Sequence, residues 1–175
     1  KSMADDYVLG QAQITGFNAI VVRMTNNFGP WQFPEKALPR WITNLLLGEQ
    51  IPLWGEGLQV RDWLYAPVCC SAIEFLMNHG AGGQIYNIAA NNEPEITNRY
   101  AAEMVCGFMG KRPNEWIRHE PDPQPDHDFR YALDCSKIHA IGWKPPQEIE
   151  QQFEATVRWY CDNRSWWEPR KAEAE

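Results

Sequence analysis

The sequence contains no apolar stretch approaching the roughly 20 residues a bilayer-spanning helix needs. Clustered lysine and arginine are absent as well. The 16 basic side chains are outnumbered by 23 acidic ones, for a formal net charge of -7. Neutralising a phosphate backbone needs clustered cations, so a general nucleic-acid binder is not expected. Cys69, Cys70, Cys106, Cys135 and Cys161 form no C-x-x-C pair, and adjacent Cys69 and Cys70 are poorly placed to bridge each other. An odd number of scattered thiols fits a reducing compartment, so the cytosol is the expected location. Internal repeats and flexible linkers are lacking. The first residues, Lys1-Ser2-Met3-Ala4-Asp5-Asp6, carry no signal-peptide pattern.

What is present suits a packed domain, or a large piece of a bigger one. Of the 175 residues, 44% are hydrophobic and 22% charged, close to globular values. Nine tryptophans supply large buried area, and thirteen prolines break the chain into short elements. Residues 1–13 read as the tail of an amphipathic helix, with Met3, Tyr7, Val8 and Gln11 on one face. The β-branched run 19–24 suits a strand buried on both faces of a parallel sheet. The loop 25–30 follows directly, at the strand's carboxyl end, where open α/β sheets bind ligands. Helices are expected at 34–47, 68–78, 96–109 with Thr97 as cap, 136–141 and 148–163. Strands are expected at 51–54, 60–65, 84–89 and 115–118. Residues 120–128, rich in Pro and Asp, read as irregular, and 130–133 as extended. The tail from Lys171 reads as frayed. Alternating strands and helices make the fold class α/β.

Five segments carry a family likeness: TNNFGPWQFPEKALP, IPLWGEGLQVRDWLY, QIYNIAANNE, HDFRYALDCSKI and GWKPPQEIEQQFEATVRWYCDNRSWWEP. Together they resemble the dTDP-glucose 4,6-dehydratases, extended short-chain dehydrogenase/reductases that act on nucleotide sugars. The likeness runs from Lys1 to about Pro169. It implies the C-terminal part of a Rossmann-like fold about twice this length. Residues 1–30 would be a remnant of the dinucleotide domain. Residues 31–175 would form the small nucleotide-sugar region, with a strand near 84–89 returning to the large sheet. Such enzymes carry a Gly-rich NAD loop, an acidic pair and a Tyr-x-x-x-Lys motif. No G-x-x-G-x-x-G occurs here, and Lys1 resembles the lysine of that motif. NAD is the implied cofactor, dTDP-glucose the implied substrate, and a homodimer the implied full-length state.

The resemblance also implies roles. Lys1 would tune the catalytic tyrosine and bind the nicotinamide ribose, unless it is an ordinary terminal lysine. Asn26 would contact substrate and Asn27 the nicotinamide; both could instead satisfy their loop as Asx-turns. Lys36 and Arg61 would hold the diphosphate, though Arg61 could instead pair with Asp62. Pro52 and Trp54 would hold the nucleobase, unless Trp54 belongs to the core. His127 would lie near the diphosphate, unless it is a surface histidine between Asp126 and Asp128. Those flanking acids diverge along an extended segment, so no metal site is expected. Three departures stand out. Ile96 replaces an asparagine that contacts the nucleotide, Gln124 replaces a phosphate arginine, and Ala66-Pro67-Val68 replaces Val-Glu-Asp. A related epimerase or decarboxylase, or a non-catalytic nucleotide-sugar-binding module, therefore stays open.

Overall fold

A computed structural model describes residues 1–123 and 128–174 of the chain. The first helix, α1 (Ser2–Thr15), ends where Gly16 adopts a left-handed φ of 74° that a side chain would resist. It is followed by β1 (Ile20–Met24), β2 (Asn26–Phe28), α2 (Ala37–Leu47), β3 (Ile51–Trp54) and β4 (Trp63–Tyr65). Then come α3 (Ala66–His79), β5 (Gln84–Ile88), α4 (Asn98–Phe108), α5 (Pro113–Trp116) and β6 (Ile117–Glu120). The chain closes with α6 (Ser136–Ala140), α7 (Ile149–Asp162) and α8 (Arg164–Ala174).

The strands form parallel pairs. β1 pairs with β5 in the register Ile20 to Gln84 through Met24 to Ile88. β2 pairs with β4, and β3 with β6. Parallel pairing needs a long crossover, which the helices between the partners supply. Segments 51–54 and 60–65 therefore do not meet across the turn at Gly55–Gly57; each finds a distant partner instead. Only Trp63–Tyr65 of the second segment is strand, while Val60 makes isolated bridges to Thr97 and Arg130.

Adjacent residues of β4 feed two cores, because successive strand side chains point to opposite faces. Trp63 joins Phe28, Leu38, Trp41, Ile42, Phe153, Tyr160 and Trp167. Leu64 joins Cys69, Ala72, Leu76, Tyr86, Ile88, Ile138 and Trp143. The second core gathers α3, β5 and α6 behind β1, so the β1–β5 pair draws its packing from residues far beyond position 30.

Several expectations change. Residues 34–36 form a turn, and α2 begins only at Ala37, after Lys36 in extended conformation. The loop after β1 contains the short strand β2. The segment 113–116 is a helical turn, and the strand follows it. The tail is not frayed within the described residues: α8 runs on to Ala174. Trp167 is fully buried and donates its indole N–H to the Tyr160 carbonyl at 2.7 Å. Lys171, also buried, donates to Asn44 Oδ1 at 2.5 Å. The Thr97 cap holds, its Oγ1 accepting the Tyr100 N–H at 3.1 Å. Helix α1 keeps its apolar side in solvent: Met3 is 84% and Tyr7 69% exposed, and only Ala12 is buried.

Candidate functional site: a cleft between β2, α2 and β3

A cleft of about 320 Å³ opens beside β2, the start of α2 and the end of β3. Asn26, Asn27, Lys36, Pro52, Trp54 and Arg61 all line it. They come from four separate stretches of sequence, and the parallel pairing of β2 with β4 and the packing of α2 on β3 bring them together. One of the expected residues stands apart: Lys1 is exposed at the start of α1 and is not among the residues that line the cleft. His127, like Gln124, lies outside the described residues.

The β2 end of the cleft is firmly anchored. The Phe28 ring is buried against Phe153, with centroids 4.7 Å apart, and against Trp63 at 6.0 Å. Asn27 Nδ2 donates to the Thr25 carbonyl at 3.1 Å, and its own carbonyl accepts from Gln32 Nε2 at 2.9 Å. Asn27 thus does part of the backbone-satisfying work of an Asx-turn while facing the cleft. The Tyr160 hydroxyl on α7 donates to the Gln32 carbonyl and pins the loop to the core.

Lys36 lies just before α2, with Nζ 2.5 Å from Glu35 Oε1. Arg61 Nη1 donates to the carbonyls of Val60 (2.8 Å) and Phe129 (3.2 Å). Its guanidinium lies over the Tyr131 ring, 4.5 Å from the centroid. Asp62 turns the other way and accepts the N–H groups of Ala90 (2.9 Å) and Asn91 (3.0 Å). Burial raises the Asp62 carboxyl pKa against the pull of those two donors, and Glu95 adds to the rise. β3 alternates its side chains, so Leu53 is buried while Trp54 is 44% exposed. Trp54 is therefore not a core tryptophan. Pro52 is buried, and its carbonyl accepts the Trp41 indole N–H at 3.2 Å.

Ile96 is 3% exposed and packs in the first core. The polar side chain of that region in the cleft is Asn98, two positions on. The Thr97 cap was the available signal, since it places Asn98 at the first position of α4. Arg40, Gln59 and Asp122 also line the cleft and were not singled out from sequence. Gln59 Nε2 donates to Asp122 Oδ2 at 2.9 Å, closing the rim between the β3–β4 connection and the segment after β6. Among the described residues no three His, Cys, Asp or Glu side chains cluster as metal ligands, and no helix is long and apolar enough to cross a membrane.

Chemically, the cleft offers an exposed indole face beside a proline, amides that both donate and accept, and cations at its mouth. That set suits a ligand combining a flat ring, anionic groups and hydroxyls. For a dinucleotide the fit is partial: Asn27 offers one amide in the cleft, Lys1 is not among the residues that line it, and the sequence holds no glycine-rich G-x-x-G-x-x-G cradle.

Residues 1–89 match the model of the NAD dependent epimerase/dehydratase family. A dTDP-glucose 4,6-dehydratase from Streptomyces niveus is 39% identical over 176 residues, covering 100% of this chain and 51% of its own length. The chain thus spans about half the length of the curated relatives it matches. Two solved structures are similar. The dTDP-glucose 4,6-dehydratase of Bacillus anthracis str. Ames in complex with NAD has a TM-score of 0.86 at 39% identity, over 95% of this chain and 52% of that one. The dTDP-glucose 4,6-dehydratase of Streptomyces venezuelae with NAD and TYD bound has a TM-score of 0.87 at 35% identity, over 97% and 52%. The partial α/β fold with parallel strand pairs, the sequence motifs and these matches agree: the chain belongs to the NAD dependent epimerase/dehydratase family.

Proposed function

We propose that the chain is the nucleotide-sugar-binding half of an NAD-dependent nucleotide-sugar 4,6-dehydratase that converts dTDP-glucose to its 4-keto-6-deoxy product. The observation that supports this most is the convergence of Asn26, Asn27, Lys36, Pro52, Trp54 and Arg61 on one cleft. In this reading the base stacks on Trp54 beside Pro52, the diphosphate lies between Lys36 and Arg61, and the hexose points to Asn26. Asn98 supplies the amide to the nucleotide in place of Ile96. Asn27 would hold the nicotinamide edge of NAD, which would supply the hydride acceptor and donor for the sugar. Lys1 lowers the pKa of a tyrosine four positions before it, a residue this sequence does not include. His127 is proposed for the diphosphate on the strength of its sequence match alone.

By itself the 175-residue chain is expected to show no turnover, because the proton-abstracting tyrosine and the glycine-rich loop are not among its residues. That Lys1 is exposed and does not line the cleft favours a second reading, a non-catalytic nucleotide-sugar-binding module. Calorimetric titration with dTDP and UDP, run beside assays for NADH and 4-keto product, separates the two. The proposal expects dTDP binding that Arg61→Ala abolishes, and turnover only when an N-terminal half is supplied. Turnover that never appears with that half present favours the binding module; absence of dTDP binding removes both.

A further inference from the structure

We infer that Arg40 is an anion-engaging residue of the cleft, its guanidinium pairing with phosphate oxygens of the bound nucleoside diphosphate; the inference rests on the nucleotide-sugar reading above. The sequence has ten arginines in an acidic chain. Seven of them are paired with a carboxylate. Arg61 and Arg170 are held by backbone carbonyls and an aromatic ring. Arg40 alone has no carboxylate, carbonyl or ring partner for its guanidinium among the described residues, yet it is exposed and lines the cleft. Of the two arginines that line the cleft, Arg61 is held by carbonyls and a ring, and Arg40 is the one left without a partner among the described residues.

The neighbouring charges explain what Arg40 adds. Lys36 is already engaged by Glu35, and Arg61 is tied to the carbonyls of Val60 and Phe129. Glu35 and Asp122 line the same recess, so a diphosphate meets carboxylates as well as cations. Lys36, extended just before α2, and Arg40, in its first turn, both line the recess, so an anion there can meet both cations. A guanidinium also offers a planar fork that takes two phosphate oxygens at once.

The test is calorimetric titration of the chain with dTDP and with thymidine, for the wild type and for Arg40→Ala and Arg40→Lys. Arg40→Ala should weaken dTDP binding about 10- to 100-fold, the range for a lost hydrogen bond to a charged group, and leave thymidine affinity unchanged. Arg40→Lys should recover part of the loss, since it restores the charge but not the fork. Unchanged circular dichroism and thermal midpoint would confirm that the exposed substitution leaves the fold alone. If wild type binds dTDP and Arg40→Ala binds it equally well, the role of Arg40 fails and the nucleotide-sugar reading stands. Equal losses for dTDP and thymidine would also overturn it, by making Arg40 a structural residue. If wild type binds neither ligand, the nucleotide-sugar reading fails and takes this inference with it.

Discussion

Trp54 and the cysteines show how position along an element sets chemistry. Trp54 follows buried Leu53 on β3, so its ring faces out into the cleft. Stacking on a base is worth about 1–3 kcal/mol, so Trp54→Ala should weaken dTDP binding roughly 10- to 100-fold with little loss of stability. An unchanged affinity would remove the ring from the site. The thiols divide by burial. Cys69, Cys106 and Cys135 are buried, while Cys70 and Cys161 are exposed. Burial pushes the Cys106 and Cys135 thiols up to about 11. Titration of the native chain with a disulfide reagent near pH 8 should therefore modify Cys70 first and leave the three buried thiols protected until denaturant is added. Rapid reaction of all five would contradict the packing of both cores.

Among the elements, α8 and β4 help to hold the cleft in shape from behind. α8 buries Trp167 against α7, and α7 in turn holds the Gln32 loop through Tyr160. Trp167→Ala should cost about 3–5 kcal/mol, read as a lower urea midpoint, and should disturb the cleft through that loop. A loss under 1 kcal/mol would mean that α8 is only loosely attached. Just before β4, Asp62 ties the strand to the chain leaving β5 through two N–H groups. Asp62→Ala leaves the buried Ala90 and part-buried Asn91 donors without this acceptor, at a cost of about 2–4 kcal/mol. These interactions also mark where sequence reading stopped. The pairing of β2 with β4 could not be read from the sequence, because a three-residue strand carries almost no periodicity. α8 was hidden by Pro169 and by a tail of Lys, Ala and Glu, and only burial against α7 shows that it continues. The resemblance set Ile96 where the family has an asparagine, whereas the amide that lines the cleft is Asn98, two positions on at the start of α4.

At the scale of the whole molecule, charge linkage and unpaired surface govern behaviour. The Cys106 and Cys135 thiols keep their protons to about 11 when folded and lose them near 9.0 when not. Between those values the folded state binds more protons, so stability falls as pH rises from about 9 towards 11. Chemical denaturation at a series of pH values should show that decline, and a flat profile would contradict it. Among the described residues β1 is hydrogen-bonded only to β5, which leaves its other edge unpaired, and it contacts α1, whose Met3, Tyr7 and Ile14 are exposed. Such an edge templates pairing with another chain. Light scattering should therefore report species larger than the 20.3 kDa chain, and a monodisperse monomer would overturn this prediction.

The sequence by itself determined the α/β class, most of the longer helices and the family likeness, because these reside in local periodicity, turn residues and contiguous motifs. It also named six residues that share the cleft. Tertiary structure alone decided which strands pair, how Trp63 and Leu64 divide the interior into two cores, and that Arg40 and Asn98 join the cleft while Ile96 does not. The physical reason is that parallel pairing and core packing join residues tens of positions apart, and no local pattern in the chain encodes which distant surface each segment will meet.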